Sequence, residues 1–141
     1  MTHPSPLRCP CCGYAQIGPA RRPGRVVRYR NAALTLPADL PLPSCKRCRY
    51  EDLAALPSEL RESLYRTSLR ERAQNGIAQL RRYRSQKRLE LLLNLSPGYL
   101  SRLGAGEGVP SAPLVSLLAL LATHPELIDW LEAYWTLPPG G

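Results

Sequence analysis

Apolar positions are spaced in two different ways along the chain. In the first third they come as short β-favouring runs, Arg25-Val26-Val27-Arg28-Tyr29-Arg30 and Ala33-Leu34-Thr35-Leu36, which predict the strands of a ribbon. Pro37, Pro41 and Pro43 follow. They cannot donate ladder hydrogen bonds, so the return toward Cys45 is expected to be an edge or a loop. From Leu56 the spacing becomes helical. Leu56-Pro57-Ser58-Glu59 opens a helix, with Pro near its first turn and Glu59 and Glu62 facing its positive end. Leu60, Leu64, Tyr65 and Leu69 carry it to about Arg72, and Gln74-Asn75-Gly76 is expected to break it.

Five short helical segments are expected after that break. Ile77, Leu80 and Tyr83 form the first stripe, and Ser85-Gln86 opens a second helix carrying Leu89, Leu92 and Leu93. Asn94-Leu95-Ser96 reads as a turn, with Ser96 as N-cap and Pro97 as first residue of a third helix through Leu103. Val109-Pro110-Ser111 leads into Leu114 to Ala122. His124-Pro125-Glu126 leads into Leu127, Ile128, Leu131, Tyr134 and Trp135. The expected fold class is α+β, a small β ribbon followed by an all-α domain. The expected divisions are residues 1–55, a helical connector over 56–74, and a helical domain over 75–136.

Charge changes this picture. The chain has 141 residues and a formal net charge of +8. Residues 1–50 hold nine basic and one acidic residue, and residues 81–104 six against one. Residues 105–141 hold no Lys or Arg and four acids. Two positive blocks suit a polyanion such as nucleic acid, although arginine-rich composition also produces solvated faces. No apolar run approaches the roughly 20 residues that span a bilayer, so no membrane association is expected. The start, Met1 to Pro6, lacks the pattern of a secretory signal. A cytoplasmic, reducing setting is therefore expected for the five cysteines.

Those cysteines carry the strongest pattern. Cys9-Pro10-Cys11-Cys12-Gly13 and Cys45-Lys46-Arg47-Cys48 contain two Cys-x2-Cys pairs. A pair at this spacing puts both sulfurs at the tip of a tight turn, and two such turns make a closed tetrahedral thiolate site. Cys9, Cys12, Cys45 and Cys48 are the expected ligands of one structural Zn2+, with iron the other metal such a site takes. With no open position, the metal would be a staple rather than a catalyst. Four thiolates on one dication would lower the net charge to about +6. Two disulfides are the alternative, disfavoured by the absent signal; a redox dithiol would need a βαβ setting that is missing here. Cys11 is expected to be a non-ligand, because adjacent residues seldom serve together.

Ser85-Gln86-x2-Leu89-x3-Leu93-Asn94-Leu95-Ser96-x3-Leu100-Ser101-x4-Gly106 resembles the helix-turn-helix of the Xre/Cro-type repressors. In that pattern Leu89, Leu93, Leu95 and Leu100 bury the helix crossing, and residues 97–102 are offered to the major groove. With the double Cys-x2-Cys ahead of it and Leu120-Leu121-Ala122-Thr123-His124-Pro125-Glu126-Leu127 behind, the chain resembles the MqsA/YgiT-type antitoxins from about Cys9 to Tyr134. The resemblance implies a zinc ribbon that binds and neutralises a ribonuclease toxin, and a helix-turn-helix half that dimerises and represses its own operon. It also implies that Cys9, Cys12, Cys45 and Cys48 are the ligands and that Arg102 reads a base. Three positions depart from the pattern: Gly98 where an Asn often reads a base, Glu90 where a small Ala is usual, and Gly104 where a Glu is common.

The expected function is therefore a sequence-specific transcriptional repressor, the antitoxin of a toxin–antitoxin pair. Its partners would be double-stranded DNA with a palindromic operator, a second copy of itself, and a toxin protein. Ser85, Gln86, Lys87, Pro97, Gly98, Tyr99, Ser101 and Arg102 are the expected DNA-binding residues. Arg102 is expected to contact guanine, with a phosphate contact or a solvated side chain as the plainer alternatives. Arg81, Arg82, Arg84, Lys87 and Arg88 are expected on phosphates. Tyr99 either meets DNA or packs, and Trp130 and Trp135 are expected in the core or a dimer seam. His124 reads as a cap or turn residue, and His3 as part of a frayed end. No Ser/His/Asp or Cys/His constellation is present, so an enzyme is not expected. The rival reading is a zinc-ribbon protein–protein adaptor, or a phage regulator without a toxin, whose helix-turn-helix serves mainly in oligomerisation; Glu90 and Gly104 favour that version.

Overall fold

A computed structural model of the chain describes residues 8, 9, 11–13, 17–20, 24–45, 47, 48 and 56–140. His3, Pro10 and Lys46 lie outside these. The architecture is α+β. Strands β1 (Ile17–Ala20), β2 (Val26–Tyr29), β3 (Ala32–Thr35) and β4 (Leu42–Cys45) precede helices α1 (Ser58–Leu80), α2 (Gln86–Leu92), α3 (Tyr99–Gly104), α4 (Ala112–Thr123) and α5 (Glu126–Thr136). Two compact units divide between Tyr65 and Arg66, within α1. Among the described residues, no helix is long and apolar enough to cross a membrane.

The first unit contains two antiparallel two-stranded sheets, β1 with β4 and β2 with β3. The expected runs at residues 25–36 form the β2–β3 hairpin. The proline-rich return is itself an edge strand, β4, and Pro43 stands opposite Pro19 in β1. Neither proline can donate, so the ladder bonds have to run through the Gly18–Ser44 and Ala20–Leu42 pairs. β1 had no signal in the alternation of its four residues, IGPA.

The hairpin turns through Arg30 and Asn31, both left-handed (φ 49° and 61°), the conformation whose twist matches two flanking strands. Asn adopts it readily, whereas for Arg it costs on the order of 1 kcal/mol. Contacts hold it there. The Arg30 guanidinium pairs with Glu62 at 2.7 Å and lies 5.5 Å from the ring centroids of both Tyr29 and Tyr65. The Tyr29 hydroxyl donates to the same carboxylate at 2.5 Å, a bond that, with burial, raises its pKa above the usual value. Beneath this cluster Val27, Leu34, Leu36, Leu42 and Leu56 form a small buried core, with Leu60, Leu64 and Tyr65 of α1 packed on it. The buried Arg25 braces the following loop by donating to the carbonyls of Pro37 and Leu40.

Gln74-Asn75-Gly76 does not break the helix, contrary to the sequence expectation: α1 runs unbroken from Ser58 to Leu80. The expected connector and first stripe are one element. The reason lies in packing. Gly76 is buried, and a Cβ there would stand 3.1 Å from the Leu118 Cβ of α4. The glycine permits a close helix approach, and burial of Leu69, Ala73, Ile77 and Leu80 on the same side offsets its poor propensity. The rest of the second unit's core comes from Leu89, Leu92, Leu100, Leu103, Val115, Leu118, Leu121 and Ile128. Leu93 and Leu95 are only half-buried, so Leu92 and Leu103 take the share of the α2–α3 crossing expected of them.

Replacing Gly76 by Leu, a better helix former, should destabilise the second unit by about 1–3 kcal/mol through overpacking against Leu118. Thermal or urea unfolding measures it, and a stability gain would show that the close approach is not needed.

Candidate metal centre and nucleic-acid interface

The two Cys-x2-Cys pairs meet in space. The sulfurs of Cys9, Cys12, Cys45 and Cys48 all lie within 4.8 Å of one another, with Cys9–Cys48 at 3.5 Å and Cys12–Cys45 at 3.6 Å. A tetrahedral site with metal–sulfur bonds of about 2.3 Å requires sulfurs about 3.8 Å apart. All four are free thiols, and so is Cys11; the four lie close enough to hold a metal ion. Cys9 and Cys45 are buried, while Cys12 and Cys48 face solvent.

Backbone donors line the cluster. The Cys11 N–H reaches the Cys9 sulfur at 3.4 Å, and the Arg47 N–H reaches the Cys45 sulfur at 3.4 Å. Gly13, left-handed at φ 77°, closes the first turn with its N–H on the Cys9 carbonyl at 2.9 Å. Burial opposes a Cys45 thiolate, but N–H groups of Cys48 and Arg47 and the thiols of Cys12 and Cys48 outweigh it, bringing the pKa down to about 6. Cys11 contributes its amide rather than its sulfur, in keeping with its expected place outside the set.

In the second unit, α2 and α3 pack through Leu89, Leu92, Leu100 and Leu103. Ser85 caps α2 as expected, its Oγ accepting from the Arg88 N–H at 3.3 Å. Ser96 does not cap α3. Its carbonyl instead accepts from the Tyr99 N–H at 3.0 Å, so Ser96-Pro97-Gly98-Tyr99 is a tight turn. Gly98 takes φ 82° and the helix begins at Tyr99, an arrangement that Pro followed by Gly favours. Lys87, Pro97, Ser101 and Arg102 are exposed, as is Ser85; Gln86, Gly98 and Tyr99 are half-buried.

Gly98, Tyr99 and Arg102 share one side of α3. A Cβ on Gly98 would lie 3.3 Å from Arg102 Nη1. Tyr99 and Arg102, with Leu103, Glu107 and Val109, line a shallow cavity of about 310 Å3. Among the described residues, no hydrogen bond or ion pair joins Ser85, Gln86 or Lys87 to this group. Arg84 departs from the expected phosphate role. It is held by Asp129 at 2.5 Å and Glu132 at 3.1 Å, both on α5, and the Glu132 bond foremost raises its pKa. Arg88 lies 4.0 Å from the same Glu132.

Trp130 and Trp135 are not core residues: they are 61% and 56% exposed. Trp130 stacks on Tyr134 at 5.5 Å, and Tyr134 meets Trp135 edge-on at 5.3 Å. Beside them, a groove of about 200 Å3 between α4 and α5 is lined by Leu117, Leu120, Leu121, Leu127, Trp130 and Leu131. An apolar face this continuous is unusual on a surface without a partner. His124 ends α4 as its C-cap, its N–H on the Leu120 carbonyl, in line with the cap reading.

No protein-family model matches the chain, and no curated protein matches it.

Glu90 of α2 reaches across to the start of α3. It is 7% exposed and accepts from the Leu100 N–H at 3.0 Å. In the sequence it stood out as an acid in an apolar run, Leu89-Glu90-Leu91-Leu92-Leu93, at a position where the resembled pattern has a small Ala.

Metal retention should depend on pH in a defined direction. A thiol whose folded pKa is lowered from 9 to about 6 favours the folded, ligand-ready site fully above pH 9 and loses that preference as pH falls through 6. Metal affinity, read by competition with a chromogenic chelator, should begin to fall as pH drops through about 6, and Cys45→Ser should weaken it at neutral pH. An affinity that stays constant from about pH 7 to about pH 4 would contradict this.

Proposed function

We propose that the chain is a homodimeric, sequence-specific transcriptional repressor and the antitoxin of a toxin–antitoxin pair. One observation carries the DNA-binding part: a short surface helix, α3, bears the exposed Arg102 beside Tyr99 and is packed on a capped helix whose exposed first turn holds Lys87 and Arg88. This supports a helix-turn-helix reading, in which the second helix enters the major groove and the first lies across the backbone. Lys87, Arg88, Arg81 and Arg82 supply phosphate contacts, and Arg102 reads a base edge. The four-cysteine site holds one structural Zn2+, which staples a ribbon that binds the toxin. The acid-only α5 face is turned away from DNA and seats a second copy of the chain through Trp130, Tyr134 and Trp135. Two-fold symmetry then places the two α3 helices about 34 Å apart on a palindrome.

The test is binding of the metal-loaded protein to its own promoter across a salt series. Arg102→Ala should lower promoter preference by about 1–3 kcal/mol and leave the non-specific, salt-dependent affinity nearly unchanged. Binding that ignores both sequence and Arg102 would leave the adaptor reading, in which the helical domain serves only to oligomerise. Co-purification with the product of the neighbouring gene tests the antitoxin part.

The dimer has its own measurement. Trp130→Ser combined with Trp135→Ser should shift the protein to monomer in sedimentation equilibrium without lowering its helicity, because both indoles are exposed in the single chain. An unchanged dimer would place the seam elsewhere.

A further inference from the structure

The backbone and side chain of Glu90 act on both sides of the turn between α2 and α3. At the end of α2, the Leu95 N–H donates to the Glu90 carbonyl at 2.9 Å and the Asn94 N–H to the Leu91 carbonyl at 3.2 Å. With Asn94 left-handed at φ 54°, this is a Schellman closure, the usual way of satisfying the last carbonyls of a helix. At the start of α3 the situation is reversed. The N-cap is Gly98, which has no side chain to offer, and no side-chain cap bond is made from that position. The carboxylate of Glu90 fills the role from the preceding helix, with Oε2 accepting the Leu100 N–H at 3.0 Å. Its negative charge also sits at the positive end of α3. Leu100 itself is fully buried, so its amide is shielded from water and needs that acceptor.

α3 has only six residues, too few to hold a helix by its own hydrogen bonds. Its start is therefore set by what α2 supplies. We propose that Glu90 is the positioning residue of the DNA-facing helix: its carboxylate fixes where α3 begins, and so where Gly98, Tyr99 and Arg102 fall relative to α2. This rests on the DNA-binding reading above. It also changes the meaning of the acid. Where a small Ala would let two helices approach, Glu90 instead ties them by a hydrogen bond, and Gly98 is tolerated at the N-cap because the cap comes from elsewhere.

The experiment uses the full metal-loaded chain with Glu90→Gln, which keeps an acceptor oxygen, and Glu90→Met, which keeps the bulk and removes it. Two readouts are taken: amide hydrogen exchange of Leu100, and promoter against random-sequence DNA binding over a salt series. Glu90→Met should speed Leu100 exchange about tenfold and reduce promoter preference about tenfold, with the salt slope unchanged. Glu90→Gln should stay within about twofold of the parent on both. A Met variant with unaltered Leu100 exchange, or a Gln variant that loses preference as fully as Met, overturns the proposal. If the parent shows no promoter preference, the DNA-binding reading falls and the positioning role falls with it, while Leu100 exchange still reports whether the cap exists. Should the Met variant not fold, Glu90→Asp, which withdraws the acceptor by one methylene, takes its place and should lose preference relative to Gln.

Discussion

Two-stranded sheets are marginal on their own, and the N-terminal unit is built from two of them over five buried core residues. Four thiols from turns 33 to 39 residues apart converge in this unit, close enough to hold a metal ion. A metal bound there would cross-link the chain over that span and remove much of the freedom of its unfolded state. β4 ends on Cys45, so the strand that contributes Leu42 to the core also delivers a buried thiol to the site. The hairpin between β2 and β3 is tied in turn to the start of α1 through the Arg30, Glu62, Tyr29 and Tyr65 contacts. Core, turn geometry and candidate metal site thus form one chain of dependence within the unit.

The helical unit solves a different problem, that of short elements. α2 has seven residues and α3 six, and neither is long enough to be stable alone. Their ends are accounted for group by group: Ser85 at the start of α2, the Asn94 closure at its end, Glu90 at the start of α3. At the end of α3, the Glu107 N–H bonds the Arg102 carbonyl and Gly106 is left-handed. Longer α1 and α4 supply the platform and approach closely at Gly76, where a Cβ would stand 3.1 Å from that of Leu118.

Charge divides this unit into faces. The arginines near α2 and α3 are exposed except where α5 recruits Arg84 with Asp129 and Glu132. That pairing occupies one cation and ties the segment just before α2 to α5, the helix that carries the aromatic face. Removing basic residues from residues 105–141 leaves α5 with acids and large apolar side chains, a composition suited to contact with protein rather than with phosphate.

Short-range chemistry was legible in the sequence by itself. Ser85 pointed to a cap and the β-favouring runs around Val27 and Leu34 to paired strands, because each depends on residues within a turn or two of one another, and the repeated Cys-x2-Cys spacing pointed to four convergent thiols because each pair is itself a local turn. Tertiary structure decided the rest. Gly76 reads as a breaker until Leu118 is beside it. Pro97-Gly98 reads as a helix start until the turn places that start at Tyr99. Arg84 reads as a phosphate contact until α5 brings up its acids, and the tryptophans, read as core or dimer seam, are left outside the core by the packing. Glu90 reads as an intruder in an apolar run until the Leu100 amide arrives to need it. The reversals at Gly76, Arg84 and Glu90 come from partners 10 to 48 positions away in the chain, and local propensity carries no information about a hydrogen bond or a contact that only the folded backbone creates.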